Sequence, residues 1–534
     1  MDEHEQCVES QESNVGTNAT DTSALQDEAN ACSPDEQRNV IAAELQRVAE
    51  TAKSYLPDFC FDMDEAPAAN KPKSAQECTA RTTVDQFIDL SNDNFDLIDT
   101  DADGYMSEDE IDAAVQNPNF SDRNARFVAA LKKHQEELEE LNDDEIGDEN
   151  DGISRADIAQ FDAIQKQMSE DRNDFAQARK YAVDNFASLD KDSDGHVTED
   201  ELDATLEAGG LDAQQIKNIQ TLKNLTGDIE EAHDDEVGDE NDGFTTSDLD
   251  DYWSKEYAPQ DNVQLVWGVQ GTMDKTQRHA EEATSRDLYP NADDPLRDIV
   301  PEAIQQGGIG DCYFNSALSS LAATNPQAIA DMINDNGDGT YTVTFPGAPD
   351  EPITVTAPSE QELALYSHGT EHGLWAPIMA KAYGQYCQES IFRRGPFNLG
   401  GGNVPQEGSD GGSATNAGLS ILTGRDVNSD STAFTSKDDL HESLSSAFRE
   451  GRPVTAYINN TPFVDRTDAG LPDGHEYSVI GYNEDTKTVT VRNPWGHDEP
   501  KNADGTPKDG KDDGVFEMTL DEFHKEFSGV AYAE

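Results

Sequence analysis

The sequence predicts a multidomain protein in which a duplicated α-helical array precedes an α+β domain. Three observations carry this expectation. The 534 residues exceed what one hydrophobic core usually serves, residues from about 83 to 253 repeat at a constant offset, and the second half passes from helix-patterned to strand-patterned segments.

The first 38 residues are rich in Ser, Asn, Asp, Glu and Gln and cannot bury enough apolar surface to offset chain entropy. Val40, Ile41, Leu45 and Val48 give a short helical pattern, and 57–80 returns to linker composition. Residues 1–80 are therefore expected to be a largely disordered acidic region.

In the repeat, Asp99 and Asp190, Gly104 and Gly195, Asp148 and Asp239, and Asp157 and Asp248 each stand 91 residues apart. A constant offset means duplication without net insertion, here of a paired helix-loop-helix unit at 83–166 and again at 174–256. Within the first unit DTDADGYMSEDE places oxygens at positions 1, 3, 5, 9 and 12 of a twelve-residue loop: Asp99, Asp101, Asp103, Ser107 and Glu110. Gly104 supplies the turn and the Tyr105 carbonyl the seventh position. DKDSDGHVTEDE repeats the pattern with Asp190, Asp192, Asp194, the His196 carbonyl, Thr198 and Glu201. Calcium takes six to eight oxygens in flexible geometry, which this spacing provides from one short segment. Met106 and Val197, apolar at the eighth position, are expected to join each loop to its partner by a short β-bridge. The partner segments, 148–157 and 239–248, have irregular spacing and either bind calcium through a shortened loop or only brace the regular one. Over 83–253 these motifs resemble the EF-hand family, and the resemblance implies calcium at the two regular loops.

Residues 257–297 show weak periodicity among several Asp and Pro residues and are expected to form a connector. From 298 onward, helical patterns at 312–323, 374–388 and 436–449 and strand patterns at 340–345, 453–458, 476–482 and 487–493 predict the α+β domain.

Within that domain EAIQQGGIGDCYFNSALSSLAATNP passes from glycines into an amphipathic helix. Cys312 is thus expected at a helix N-terminus, where the dipole favours a thiolate. Gly307, Gly308 and Gly310 would let backbone approach a substrate, and the Gln306 amide could meet a developing oxyanion. A thiolate enzyme also needs a base and an orienting group. HEYSVIGY and TVTVRN alternate around the turn at 483–486, and a hairpin centred between Glu484 and Asp485 would bring His475 within one register step of Asn493. Trp495 could shield that pair from water.

QGGIGDCYF, GHEYSVIGY and VRNPWG resemble the cysteine, histidine and asparagine motifs of the calpain family. LWAPIMAKAYGQY, GGSATNAGLSILTG and DDGVFEMTLDEFHKEF resemble further calpain-core segments in the same order. Over 298–534 the resemblance implies a papain-like two-lobed protease core. It also implies Cys312 as nucleophile, His475 as general base, Asn493 as orienter, and Gln306 with the Cys312 N–H as oxyanion hole. Tyr313 stands where calpains usually carry Trp, a departure expected to alter subsite shape. The expected activity is cysteine endopeptidase cleavage of protein substrates, with calcium modulation from the array. A protein-crosslinking transamidase and a catalytically silent, calcium-responsive binding protein are the alternatives.

Composition narrows the partners. With 37 Lys+Arg against 111 Asp+Glu the net charge is −74, and both halves are acidic, which excludes a general polyanion binder and makes nucleic acid an improbable partner. Six cysteines (Cys7, Cys32, Cys60, Cys78, Cys312 and Cys387) show neither zinc-like nor disulfide-framework spacing. No apolar run is long enough to span a bilayer and the N-terminal residues are unlike a signal peptide. The chain reads as soluble, either cytoplasmic or exported without a cleavable signal; oligomeric state is not legible.

Overall fold

The computed structural model describes residues 83–142, 152–230, 232, 243–254, 261–389, 393, 403–411, 416–459, 470–502 and 506–534. The expectation for residues 1–80, and the first four residues of each irregular partner segment (148–151 and 239–242), lie outside the described residues.

The first repeat contains α1 (Thr83–Ile98), β1 (Tyr105–Met106), α2 (Glu108–Val115), α3 (Arg123–Lys133), α4 (Gln135–Glu139), β2 (Ile153–Ser154) and the start of α5 (Arg155–Leu189). The second contains the end of α5, then α6 (Glu199–Ala208), α7 (Ala213–Asn224), α8 (Thr226–Glu230) and α9 (Thr246–Ser254). Met106 pairs with Ile153, and Val197 bridges Phe244, so both regular loops carry the expected β-bridge. Duplication extends to backbone detail: Ala102 and Ser193, both at loop position 4, take positive φ of 61° and 64°.

Two expectations need correction. The 35-residue α5 runs unbroken across the expected boundary near 166–174. It starts where the Ser154 side chain accepts from the Ala156 and Asp157 N–H groups, and it contains neither Gly nor Pro to interrupt it. The expected connector contains α10 (Asp261–Glu282). Val266, Val269 and Met273 of α10 enter the core of the first repeat, while its His279 reaches the Ala364 carbonyl. A helix contacted on more than one side lacks the polar stripe that makes amphipathicity visible in sequence.

The remaining residues build two layers around separate cores. The helical lobe holds α11 (Cys312–Thr324), α12 (Pro326–Met332), α13 (Glu360–Leu365), α14 (Trp375–Gln388), α15 (Asn416–Thr423) and a three-stranded sheet of β3 (Ile333–Asp335), β4 (Thr340–Val343) and β5 (Ile353–Thr356). The β-rich lobe holds β6 (Val427–Ser431), α16 (Lys437–Arg449), β7 (Val454–Ile458), β8 (His475–Asn483), β9 (Thr488–Arg492), β10 (Val515–Thr519), α17 (Leu520–Glu526) and β11 (Gly529–Ala533). Its six strands run antiparallel in the order β10-β9-β8-β7-β11-β6. Phe314, Phe345, Trp375 and Tyr383 anchor the first core, and Tyr477, Val479, Phe523 and Phe527 the second.

Candidate active site

Helix α11 begins at Cys312 and lies along β8. The Ser316 hydroxyl donates to the Glu476 carbonyl at 2.7 Å and the Ser320 hydroxyl to the Val479 carbonyl at 3.0 Å. Residues four apart share a helix face. One turn before Ser316, Cys312 therefore occupies the His475 end of the strand, and it interacts electrostatically with Tyr477.

His475 and Asn493 meet because of an irregularity the sequence did not reveal. Near the turn Asn483 opposes Thr488, but a register shift between Val479 and Gly481 leaves Val479 opposite Val491 and Ser478 opposite Arg492. Extended toward the site, the uninterrupted register would set Asn493 on the face opposite His475; the one-residue shift puts both on the same face, as β-bulges do when they re-aim side chains. The simple hairpin register expected from sequence is thus corrected, while the expected contact is present: His475 Nε2 lies 2.9 Å from Asn493 Oδ1. That oxygen also accepts from the Trp495 N–H at 3.2 Å, and Asn493 Nδ2 donates to the Asp498 carbonyl at 3.3 Å, which fixes the amide orientation. His475 Nε2 must then carry the hydrogen, leaving Nδ1 as the acceptor nitrogen. The Trp495 ring sits 4.2 Å from the imidazole and both residues are buried, as a water shield requires. Burial pushes the imidazole down to about 4, with the Asn493 bond opposing, so the base is neutral near pH 7.

Gln306 is buried, its N–H donates to the Pro494 carbonyl at 2.9 Å, and its side-chain amide donates to the Ile309 carbonyl at 2.7 Å. A primary amide has a second hydrogen to offer. Gly307 serves a different purpose from the one expected: a Cβ there would lie 2.5 Å from the Leu365 carbonyl oxygen, so glycine admits the 365–366 backbone, not a substrate. Gly310 donates its N–H to Asp410 Oδ1 at 2.7 Å. Tyr313 is fully buried and donates to the Ser409 carbonyl at 3.1 Å, so it supports the nucleophile loop and cannot shape a subsite.

Both regular loops gather their carboxylates. Ligand oxygens of Asp99, Asp101 and Glu110 lie within 4.8 Å of one another, as do those of Asp190, Asp192 and Asp194. Asp103 and Asp194 accept the N–H groups of Tyr105 and His196, both at 2.9 Å. Glu110 accepts from Ser107 N and Oγ, and Glu201 from Thr198 N and Oγ1. Burial raises both glutamates, but these hydrogen bonds outweigh it and leave them lowered. A third group, Glu499, Asp509 and Asp513, follows Asn493 and was missed, because its residues scatter through a loop that reads as ordinary acidic surface. Each cluster contains a buried carboxylate oxygen with no hydrogen-bond partner: Asp99 Oδ1, Asp190 Oδ1 and Glu499 Oε2. Burial with Asp509, Asp513 and Asp512 nearby pushes Glu499 up to about 7. Orphaned carboxylate oxygens converging in this way fit a hard divalent cation. Asp311, beside the nucleophile, is likewise buried and pushed up to about 8, with Asp410 adding to the effect. Among the described residues no helix is long and apolar enough to cross a membrane.

Residues 275–534 match the calpain family cysteine protease model. A rat protein named Calpain-9 (Rattus norvegicus) is 27% identical over 262 residues, covering 42% of this chain and 35% of the relative. The mouse protein of the same name (Mus musculus) is 26% identical over 262 residues, again 42% and 35%. A plant protein, Calpain-type cysteine protease DEK1 (Arabidopsis thaliana), is 24% identical over 265 residues, covering 44% of this chain and 11% of that protein. The chain therefore spans well under two thirds of these relatives, and the region matched by the family model holds Cys312, His475 and Asn493.

Proposed function

We propose that the chain, whose residues 275–534 match the calpain family cysteine protease model, cleaves polypeptides through Cys312, His475 and Asn493 and binds calcium at its carboxylate clusters. The observation that carries the peptidase reading is the 2.9 Å His475–Asn493 contact at the strand end where helix α11 delivers Cys312. His475 Nδ1 takes the thiol proton as sulfur attacks the scissile carbonyl, and Asn493 holds the imidazolium that forms. The tetrahedral oxyanion meets the second Gln306 amide hydrogen and the Cys312 N–H. His475 then protonates the leaving amine, and water activated by the same base releases the acid from the thioester.

Calcium would be held by Asp99, Asp101, Asp103, Ser107, Glu110 and the Tyr105 carbonyl; by Asp190, Asp192, Asp194, Thr198, Glu201 and the His196 carbonyl; and by Glu499, Asp509 and Asp513. A bound cation supplies charge neutralisation and rigidity to these segments. The first two sites make the array EF-hand-like, and the third ties calcium to the loop following Asn493.

Casein hydrolysis by wild type and Cys312→Ala, with millimolar calcium and with chelator, tests both parts. Hydrolysis by wild type alone, and only with calcium, is the expected result. Equal rates with calcium and chelator would remove the modulation, and hydrolysis by Cys312→Ala would remove the nucleophile assignment.

A further inference from the structure

We propose that Lys132, in the first copy of the helical array and outside the peptidase match, is a positioning residue for the oxyanion side of the active site; this rests on the peptidase reading above. Its side chain is almost buried, with Nζ 2.6 Å from Asp112 Oδ1 and 3.2 Å from Glu407 Oε1. Glu407 belongs to the peptidase, and the same Oε1 accepts the Tyr366 hydroxyl at 2.8 Å. Tyr366 in turn caps helix α13 at the head of the segment that holds Gln306. The Tyr366 and Leu365 carbonyls accept from Gly307 and Gly308 N–H, both at 2.8 Å, Ser367 bridges Gln306, and His368 N–H donates to the Gln305 carbonyl at 2.9 Å. Gln306 is thus gripped on both sides by a segment whose side-chain anchor ends on Lys132.

Glu407 also sits in the turn at Pro405–Ser409, whose Ser409 carbonyl receives the Tyr313 hydroxyl and whose next residue, Asp410, receives Gly310 N–H. One carboxylate therefore stands behind both walls of the nucleophile loop. Burial raises Glu407, and the Lys132 charge opposes that. With Lys132 removed, Glu407 and the fully buried Asp112 lose the cation that holds them together, and the Glu407 side chain is no longer held in place. Movement of Glu407 carries Tyr366 and the 409–410 turn with it, and sub-ångström displacement of Gln306 weakens stabilisation of the transition state more than substrate binding.

The second copy supplies the control. Lys223, 91 residues on, pairs with Asp203 at 2.7 Å and Glu199 at 3.3 Å, the counterparts of Asp112 and Glu108, and none of the partners identified for it belongs to the peptidase.

The experiment compares full-length wild type, Lys132→Met, Lys132→Arg, Tyr366→Phe and Lys223→Met at saturating calcium. It reads kcat and KM on a fluorogenic peptide, the iodoacetamide alkylation rate of Cys312, which needs no oxyanion hole, and the thermal midpoint. Lys132→Met is expected to lower kcat about tenfold to a hundredfold, with KM and alkylation within about threefold of wild type. Lys132→Arg should recover most of that loss. Tyr366→Phe, which removes one hydroxyl and keeps the ring, should reproduce the selective kcat loss even if Lys132→Met folds poorly. Lys223→Met should match wild type. Unchanged kcat in both Lys132→Met and Tyr366→Phe, or parallel losses in kcat, alkylation and midpoint in both, would overturn the positioning role while leaving the peptidase standing. A wild type that neither hydrolyses nor alkylates would overturn the peptidase reading and this proposal together.

Discussion

The two copies of the array diverge in what surrounds them far more than in what they contain. Each carries the regular loop, the β-bridge, and a lysine reaching back to the helix that leaves the loop. Yet the first copy shares its core with α10 and with Tyr366 and Val404 of the peptidase, while the second closes its core from its own residues. Hydrogen bonds reinforce the first docking: Ser359 Oγ donates to the Val115 carbonyl at 2.6 Å, Asp122 N–H to Glu360 at 2.8 Å, and Asn403 N–H to Asp112 at 3.1 Å. The two copies are similar modules, and the contacts made by a few side chains decide which one is joined to the domain matched at 275–534.

The largest test of that difference uses matched core positions. Leu131 and Leu222, 91 residues apart, are both fully buried, and replacing either by Ala should cost about 2–5 kcal/mol locally. The consequences should part: Leu131→Ala lowers the temperature at which peptidase activity is lost, and Leu222→Ala leaves it in place while its own copy opens. Thermal inactivation beside peptide-resolved hydrogen exchange reads both. Equal inactivation temperatures for the two variants would mean that the copies are coupled to the enzyme alike.

A second, smaller difference should appear with pH. Burial holds His475 down to about 4 and His279 of α10, whose ring meets that of His368, down to about 3. An unfolded histidine binds its proton near pH 6.5, so the folded state binds fewer protons below that value. The stability present above pH 6.5 is therefore lost as pH falls toward 4 for His475 and toward 3 for His279, on the order of 1.4 kcal/mol per unit for each. Glu201 of the second copy, whose folded pKa is lowered, contributes loss only below its ordinary value near 4.5. Asp311 and Glu499, pushed up to about 8 and 7, act in the opposite sense within the peptidase, so the histidine effect should show as a difference between wild type and His279→Gln: between pH 6.5 and 5 the variant should keep more hydrogen-exchange protection in the first copy, with the second copy unchanged. The same pH dependence of protection in both proteins would contradict this assignment.

How much of this was legible depended on whether the signal was local. The helices at 312, 375 and 437, the strands, the calcium-loop pattern and the Cys312, His475 and Asn493 set all lie in short segments with their own periodicity or spacing. What escaped the sequence depends on partners far along the chain. The bulge near Ile480 shows only in the pairing of β8 with β9, and α10 lacks a polar stripe because it is contacted on more than one side. The role of Gly307 is defined by Leu365, that of Tyr313 by Ser409, and that of Lys132 by Glu407, 275 residues away. Glu499 is one more acidic residue in an acidic chain until the fold buries it.

The finest prediction separates the two loops as calcium sensors. Glu110, at position 12 of the first loop, precedes Asp112 by two residues on α2, so a cation that fixes Glu110 also fixes the helix carrying the Lys132 partner. Glu201 holds the same place in the second loop, but among the described residues its helix pairs with Lys223 of its own copy and with no peptidase residue. Glu110→Gln and Glu201→Gln should each weaken one calcium-binding step about tenfold, since lost ligand charge lowers affinity. Only Glu110→Gln should move the calcium concentration for half-maximal peptidase activity, by a similar factor. Calorimetry and rate titrations on the same preparations would separate binding from its effect. Equal shifts in rate would show that the second copy signals without direct contact, whereas no shift in either would leave control to the Glu499 cluster beside Asn493, with the array acting as a docked brace.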